Sequence, residues 1–503
     1  MPLVVCVVPI PPAFRVVWEG NREGWMARPD AVVVGSGPNG LAAAIALAQA
    51  GRRVVVREAA DTIGGGMRTE ELTLPGFHHD VCSTVHPLGV SSPFFRALPL
   101  AEHGLEWVHS PACLAHPQDD GTVAMLERSM EETGATLGPD ARAWKKLMNP
   151  WVRRWLVLAE DVLGPLEFPD HPLLLARFGV YGIRPAYGLA KRRFQGELAR
   201  ALFAGNAAHS MVPLTRSPTA AFGLTLAAAG HAVGWPIARG GSQSIANALA
   251  SYLRSLAGEI VTGAPVDNVD EFQGVPLVLL DLTPRQVLRV AGHRLSGRYR
   301  RALGRFRYGA GSFKIDWALS GPIPWRSPEC ARAATVHLGG TLDEIAASEH
   351  APLEGKVPEK PFVLLVQPTL FDPSRAPAGK QIAWAYCHVP FGCDVDMTKA
   401  IEDQVERYAP GFRDVVLHRN VMPPSALERH NPNLVGGDIS AGAMTLRQVF
   451  FRPAPRKIPY STPVPGLYLC SASTPPGGAV HGMCGYYAAE AALKHPITAP
   501  DHA

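Results

Sequence analysis

The sequence lacks any Cys-x-x-C pair. Its eight cysteines, Cys6, Cys82, Cys113, Cys330, Cys387, Cys393, Cys470 and Cys484, are scattered along 503 residues. That excludes a recognisable zinc site or disulfide framework, and a reducing, cytoplasmic setting is the simplest expectation. Charge is also scarce: 18% of residues are charged and the formal net charge is +4. With no long lysine or arginine run, nothing points to nucleic acid as a partner. No apolar run is long enough for a transmembrane helix. No internal repeat, low-complexity segment, Ser-His-Asp set or metal-ligand constellation is readable. What is there is a chain that is 47% hydrophobic, long enough for two or more intergrown domains with substantial cores.

The first 25 residues look foreign to the rest. "MPLVVCVVPIPPAF" is apolar but broken by prolines and has no basic residue ahead of it, so it is a poor signal peptide. Met26, opening "MARPDAVVVGSG", is the expected natural start, and 1–25 an expected non-native or poorly ordered leader. "HPLLLARFGVYGIRPAYGLAKRRF", 171–194, reads as a buried helical pair broken near Pro185. Peripheral contact with a membrane surface is the alternative for this segment, because its apolar stretch has a basic end.

"VVVGSGPNGLAAAIALAQAGRRVVVRE", 32–58, carries the strongest local signal. Val32–Val34 read as a buried strand, an Ala/Leu-rich helix follows to about Ala50, and Arg53–Arg57 frame a second strand. Gly35 permits the tight turn, Gly37 lets backbone approach a pyrophosphate, and Gly40 lets helix and strand pack closely. Pro38 and Asn39 complete the turn at a helix N-terminus that offers oriented N–H donors. Glu58 stands where a carboxylate would bind ribose hydroxyls. The unit predicts dinucleotide binding without separating NAD from FAD.

A second α/β stretch appears about 200 residues later. "RGGSQSIANALASYLRSLAGEIVTGAPVDNV", 239–269, reads as a helix with Ile245, Leu249, Leu253 and Leu256 on one face, then a strand, and "PLVLLDLTP" as another buried strand. Residues 140–210 read as mostly helical. From about 305 the texture is β-rich, with "PFVLLVQPTLF" and "QIAWAYCHVPF" expected to pair antiparallel. The chain closes on a strand, a glycine-rich turn and a helix, "GLYLCSASTPPGGAVHGMCGYYAAEAAL". That turn has no room for a following strand and acid, so it must complete a site begun elsewhere.

After Glu58, "ADTIGGGMRTEELTLPGFHHD" places Gly65 and Gly66 just before Arg68. Here the chain resembles the FAD-dependent amine oxidase and phytoene desaturase superfamily. Within it the resemblance is to bacterial phytoene-dehydrogenase-like proteins related to the pyridine nucleotide-disulphide oxidoreductase domain 2 family. "GPNGLAAA", "PGFHHDVCS", "GWPIARGGS", "FKIDWALSGPIPW", "NPNLVGGDISAGAMTLRQVFFRP" and "TPPGGAVHGMCGY" carry it, over residues 30–492. Met67, between the glycines and Arg68, is a departure from the pattern.

The resemblance implies an α/β fold, α+β overall: a Rossmann-like FAD-binding domain assembled from separated segments, with an inserted mixed α/β substrate domain. The implied division is FAD-binding parts at 26–110, 236–290 and 431–503, a helical substrate region at 111–235 and a β-rich one at 291–430. It implies non-covalent FAD, with Gly35, Gly37, Pro38, Asn39, Gly40, Glu58, Gly65, Gly66 and Arg68 on the ADP half. Val266 is implied at the adenine, and Ser473, Gly477, Gly478 and Val480 at the pyrophosphate and flavin ring.

Two catalytic candidates follow. Lys314, in "GSFKIDWALSGPIPW", resembles the amine-oxidase lysine that holds a water near flavin N5, with spacing one residue shorter. By alternation it lies on the face opposite Phe313 and Ile315, although a strand lysine is ordinarily a solvated edge residue. His481, after Gly477-Gly478-Ala479-Val480, would transfer a proton or fix the loop. Asp438 in "GGDIS" reads first as a turn former.

The expected activity is FAD-dependent dehydrogenation of a small apolar organic substrate, with isoprenoid or lipid-like chemistry in view. Amine-oxidase-like C–N oxidation using oxygen is the first alternative. A flavin-retaining binding or assembly protein and a pyridine-nucleotide dehydrogenase are the others. The electron acceptor, oxygen or quinone, and the oligomeric state stay open at this level.

Overall fold

The computed structural model describes residues 28–165 and 169–494. The expected leader at 1–25 and the start at Met26 lie outside the described residues.

Strands Ala31–Val34, Val54–Arg57, Glu259–Val261, Leu277–Leu280 and Leu467–Leu469 make a parallel five-stranded sheet. From one edge to the other the strands begin at Leu467, Leu277, Ala31, Val54 and Glu259. The nucleotide-type layer is thus assembled from three separated stretches of chain. Its central strand reads as an unbroken β-branched run because both faces are covered. Ala31 and Val33 join one apolar cluster, Val32 and Val34 another.

The first helix, Pro38–Gln49, has proline in its first turn and is followed by Gly51 at φ +77. It packs against the last helix, Met483–Lys494. The contact is so close that a Cβ on Gly485 would stand 1.8 Å from the Asn39 carbonyl oxygen.

A seven-stranded sheet forms the second layer. In order it contains Val416–Met422, Gly311–Leu319, Gln381–Val389, Val363–Val366, Ala333–Leu338, Ala112–Pro117 and Val123–Leu126. Neighbours are antiparallel except for Ala333–Leu338 beside Ala112–Pro117. One face carries Phe313, Ile315, Trp317, Val336 and Leu365, packed with Ile401 and Val405 of helix Thr398–Tyr408. Strand alternation turns Lys314, Asp316, Thr335, His337, Trp384, Tyr386 and His388 to the other face.

Two assignments from sequence differ here. The stretch expected to be helical from residue 111 opens with two strands. "ACLAHP" carries no β-branched residue, so local propensity gives no signal, and pairing with Ala333–Leu338 decides. Helix Gly297–Gly304, inside the expected β-rich region, packs Tyr299 and Leu303 against Val32 and Leu280 of the parallel sheet. The segment 171–194 is a helical pair, Pro172–Gly182 and Ala186–Arg193, with Pro185 capping the second. Among the described residues no helix is long and apolar enough to cross a membrane.

Candidate functional site

The glycine turn is built as its spacing demands. Gly35 has φ +104, and a Cβ on Gly40 would sit 2.0 Å from the Gly35 carbonyl oxygen. Pro38 opens the helix, and the buried Asn39 side chain leaves Oδ1 without a partner.

Glu58 is buried at the end of the second strand. Its Oε2 accepts from the Ser36 amide (2.9 Å) and hydroxyl (2.6 Å). Its Oε1 accepts from the Ala60 amide (2.9 Å) and Arg68 Nη2 (3.3 Å). The diglycine loop folds onto the turn: the Gly64 amide donates to the Ser36 carbonyl (3.1 Å), and a Cβ on Gly65 would reach Gly37 Cα at 3.1 Å. The Gly66 carbonyl accepts from Ser83 Oγ at 3.1 Å. Met67 is buried, so its side chain serves the core while Arg68 turns to Glu58 and the Thr62 carbonyl. Arg68 Nε is buried and unpartnered. Val266 is buried in the cluster beneath Val32 and Val34.

Asp281 was not singled out in the sequence. Its carboxylate accepts from the Gly40 amide at 3.0 Å, beneath the turn. Burial raises its pKa to about 7, against the pull of the Gly40 and Gly37 backbone groups. "LLDLTP" at a strand end was the available signal, since an acid after a buried strand in this layer faces the same crevice as the glycine turn.

The last motif is a tightly held loop. Gly477 has φ +122, and a Cβ on Gly478 would lie 3.0 Å from the Ser440 carbonyl oxygen. Ser473 Oγ donates to the Ala441 carbonyl at 2.8 Å. The buried Arg452, also unforeseen, donates to the Ser473 and Ala441 carbonyls (3.3 and 3.2 Å), tying the two segments together. Asp438 accepts from the Gly309, Ser440 and Gly442 amides at 2.7, 2.7 and 2.8 Å and is the turn former. His481 Nδ1 accepts from the Met483 amide (3.0 Å) at the start of the last helix. Burial lowers its pKa to about 4, so it is a neutral imidazole holding the loop at neutral pH.

A cavity of about 800 Å³ opens against this loop, with Gly478, Val480 and His481 in its wall. Leu88, Leu175, Phe178, Phe222, Leu226 and Leu364 make most of it apolar. Trp384 and Tyr386, two residues apart on one strand face, stack at 5.9 Å and 15° on its floor. Its polar lining includes His209, Thr335, Tyr386 and the Asp161 carboxylate. His209 Nε2 lies 3.1 Å from His337 Nε2, and Thr335 Oγ1 has no partner. Burial, and then the nearby His388, lowers the His209 pKa to about 3. Behind it, His388 Nδ1 meets Glu349 at 2.8 Å.

Lys314 is not a solvated edge residue. Its strand lies inside the sheet, the side chain is buried, and Nζ is paired with Asp316. Nζ lies 5.0 Å from the centroid of Trp384, which lines the cavity, whereas Lys314 does not. Asp316 also stands 3.6 Å from His79 Nδ1, and Asp80 next to it pairs with Arg375 at 3.0 Å. This buried ionic layer was missed because its members are spread from residue 79 to residue 375.

The structure therefore brings together the glycine turn, Glu58, the diglycine loop and Arg68 on one side. Ser473, Gly477, Gly478, Val480 and His481 gather across the packed first and last helices. Lys314 stands one layer behind the cavity wall.

Residues 33–98 match the family model described as an NAD(P)-binding Rossmann-like domain. The chain is 26% identical to pyridine nucleotide-disulfide oxidoreductase domain-containing protein 2 of Rattus norvegicus, covering 96% of each. It is also 26% identical to the neurosporene-forming phytoene desaturase of Rhodobacter capsulatus, covering 92% of this chain and 93% of that protein. The fold matches that of putrescine oxidase bound to putrescine, with a TM-score of 0.60 and 16% identity over 93% of this chain and 99% of that one. Along nearly its whole length the chain is thus similar to FAD-dependent oxidoreductases of the amine-oxidase and phytoene-desaturase kind.

The chain's own residues suit a flavin cofactor. The unpartnered Asn39 Oδ1 and Arg68 Nε are buried beside the glycine turn. The first and last helices both begin at glycine-rich turns, which favours an anionic pyrophosphate and the charge that collects on a reduced flavin. Asp281 is the one opposing feature, and its raised pKa lessens the conflict.

Proposed function

We propose that the chain binds FAD non-covalently and removes two hydrogens from an organic substrate with an apolar body and one uncharged polar group. The bound flavin would accept the hydride. Gly35, Gly37, Pro38, Asn39, Gly40, Glu58, Gly65, Gly66, Arg68 and Val266 would hold the ADP half. Ser473, Gly477, Gly478 and Val480 would hold the pyrophosphate and ring. The reading rests on one observation: an 800 Å³ cavity with aliphatic and aromatic walls meets the Gly477–His481 loop. The stacked Trp384 and Tyr386 orient the substrate body, the walls exclude water, and the neutral His209 with Thr335 receives its polar group. His481 fixes the loop in this reading, and Lys314 positions Trp384.

The bond oxidised has two candidates. A C–C bond agrees with the phytoene desaturase relative. A C–N bond has the support of the solved folds, putrescine oxidase among them, and an uncharged amine suits the neutral imidazole of His209 in the cavity wall. The structural comparisons favour the C–N reading; the cavity accepts it for an amine with an apolar body. Seven free cysteines among the described residues agree with a reducing, cytoplasmic setting, and the exposed apolar helix 172–182 with peripheral membrane contact.

The deciding experiment is anaerobic. Apolar amines and polyenes are mixed with the protein, bleaching of the flavin is followed, and products are weighed. An imine or aldehyde, with peroxide in air, establishes C–N oxidation; a product lighter by two hydrogens with its carbon skeleton intact establishes desaturation. Flavin that neither class reduces would refute the enzyme reading and favour a binding protein.

A further inference from the structure

The second large concavity lies outside this site. It is a groove of about 1050 Å³ between helix Gly297–Gly304 and the segment 445–457. Arg298, Arg301, Arg305 and Arg307 come from one side, Arg447, Arg456 and Lys457 from the other. No aspartate or glutamate lines it. Arg456 is held by Ser461 Oγ at 3.0 Å and stands 5.6 Å over the Tyr299 ring. None of the seven is in an ion pair among the described residues. Elsewhere on this molecule surface arginines are commonly matched, as Arg53 is by Asp30 and Arg407 by Asp119. In sequence the cluster is hidden, because "SGRYRRALGRFRYG" and "RPAPRK" are some 150 residues apart and the net charge is small.

One short helix, Leu446–Phe451, joins the groove to the cavity. Arg447 and Phe451 line the groove, Leu446 and Phe450 the cavity. Phe450 is 48% and Phe451 56% exposed, a large aromatic surface to leave in water. At the cavity's rim, helix Pro172–Gly182 leaves Leu173 86% and Val180 55% exposed.

We propose that this face docks on an anionic lipid bilayer, with Phe450, Phe451 and Leu173 entering the headgroup boundary and the arginine groove bearing on lipid phosphates. Exposed aromatics beside unmatched cations are the composition that binds an anionic interface. An acidic protein would leave the phenylalanine ridge unexplained. Docking sets the cavity opening against the bilayer, a route for an apolar substrate that avoids water. The proposal stands on the surface alone and does not depend on the bond oxidised.

Sedimentation of the full-length holoprotein with vesicles tests it. Phosphatidylcholine vesicles with and without phosphatidylglycerol are compared, at low and high salt. Binding is expected only to the anionic vesicles and should fall as salt screens it. The triple variant Arg298→Gln/Arg301→Gln/Arg305→Gln should bind about a hundredfold more weakly, roughly fivefold per arginine. Its flavin absorbance and its turnover of a water-dispersed substrate should be unchanged, which separates lost docking from lost folding. Phe451→Ser should weaken vesicle binding and leave its salt dependence intact. Equal binding to neutral and anionic vesicles, or none to either, would overturn the proposal. So would capture by polyglutamate without vesicle binding, which would assign the groove to an acidic protein.

Discussion

The Asp281 carboxylate takes a hydrogen bond of 3.0 Å from the Gly40 amide, at the helix N-terminus where a dinucleotide phosphate would be received. Burial and the nearby Glu58 charge favour its protonated form and raise its pKa to about 7. The native state therefore holds a proton that the unfolded chain releases near the ordinary value of 3.8. The resulting stability is fully present below that value and is lost as pH rises through about 7, by at most about 1.4 kcal/mol per pH unit. Asp281→Asn should remove this slope. The check is urea unfolding of apoprotein, parent against variant, between the two pKa values; parallel profiles would mean that the native carboxylate is ionised throughout. At alkaline pH the variant should also bind FAD more tightly than the parent.

Glu58 has all its acceptor positions engaged by Ser36, Ala60 and Arg68. It therefore organises the turn, and a ribose hydroxyl would have to share or displace one of these donors. Glu58→Gln keeps the shape and loses the charge, at a cost of about 1.5–3 kcal/mol in charge-assisted bonding. FAD affinity should drop roughly ten- to hundredfold. Titration of apoprotein measures it, and unchanged affinity would place Glu58 away from the cofactor.

The parallel layer was legible because its signals are local. Gly35, Gly37 and Gly40 announce the turn, and Val32–Val34 and Val54–Val56 announce buried strands through composition alone. Lys314 was legible as a residue to watch but not in its surroundings. Its partner Asp316 is two positions away on the same strand face, yet the burial that makes the pair matter comes from the strands flanking it. Arg452 was invisible for the same reason, since its partners come from residues 441 and 473, while Asp281 showed only as an acid after a buried strand. Ala112–Pro117 was misread because alanine, cysteine and leucine do not favour a strand until a neighbouring strand supplies the hydrogen bonds.

Close helix packing makes Gly485→Ala severe. Its Cβ would lie 1.8 Å from a backbone oxygen of the first helix, which no side-chain rotation can relieve. A loss of roughly 1–3 kcal/mol or more is expected, with reduced FAD occupancy, because the two glycine-rich turns are pushed apart. Gly188→Ala is the control: it is helical and nothing nearer than Arg192, at 3.9 Å, stands in the way. It should be neutral, or stabilising by about 0.5–1 kcal/mol. Melting curves of both proteins decide, and equal melting temperatures would contradict the packing.

Burial holds a set of histidines neutral, His337 among them, whose pKa falls well below its ordinary value. The pKa of His79 and His209 falls to about 3, and that of His86, His116, His231 and His481 to about 4. Unfolded histidine takes up a proton near 6.5, while these do not in the native state. Stability should therefore be fully present above about 6.5 and decline as pH falls towards 4, at up to about 1.4 kcal/mol per pH unit for each histidine. Replacing His231 with phenylalanine should make the decline shallower by one proton's worth. An unchanged slope would show that His231 titrates natively.

Lys314 offers the sharpest test, because pairing and catalysis predict different outcomes. Its ammonium group is matched by Asp316, both are buried, and Trp384 rather than Lys314 borders the cavity. Lys314→Met strands a buried carboxylate, whose remaining neighbours are His79 at 3.6 Å and Asn420 at 3.5 Å. Breaking such a pair costs about 3–5 kcal/mol, whereas removing both charges is near neutral. The single variant should thus lose stability, and Lys314→Met/Asp316→Asn should regain most of it. With its field cancelled by Asp316, the lysine adds little to charge forming in the cavity. Photoreduced double variant should then reoxidise in air within about twofold of the parent, a barrier change under about 0.5 kcal/mol. Stopped-flow traces measure this. If both variants fold normally and reoxidise at least about tenfold more slowly, about 1.4 kcal/mol, the pairing account fails. Lys314 would then return to the role its strand motif suggests, a cation acting on the flavin's oxygen chemistry.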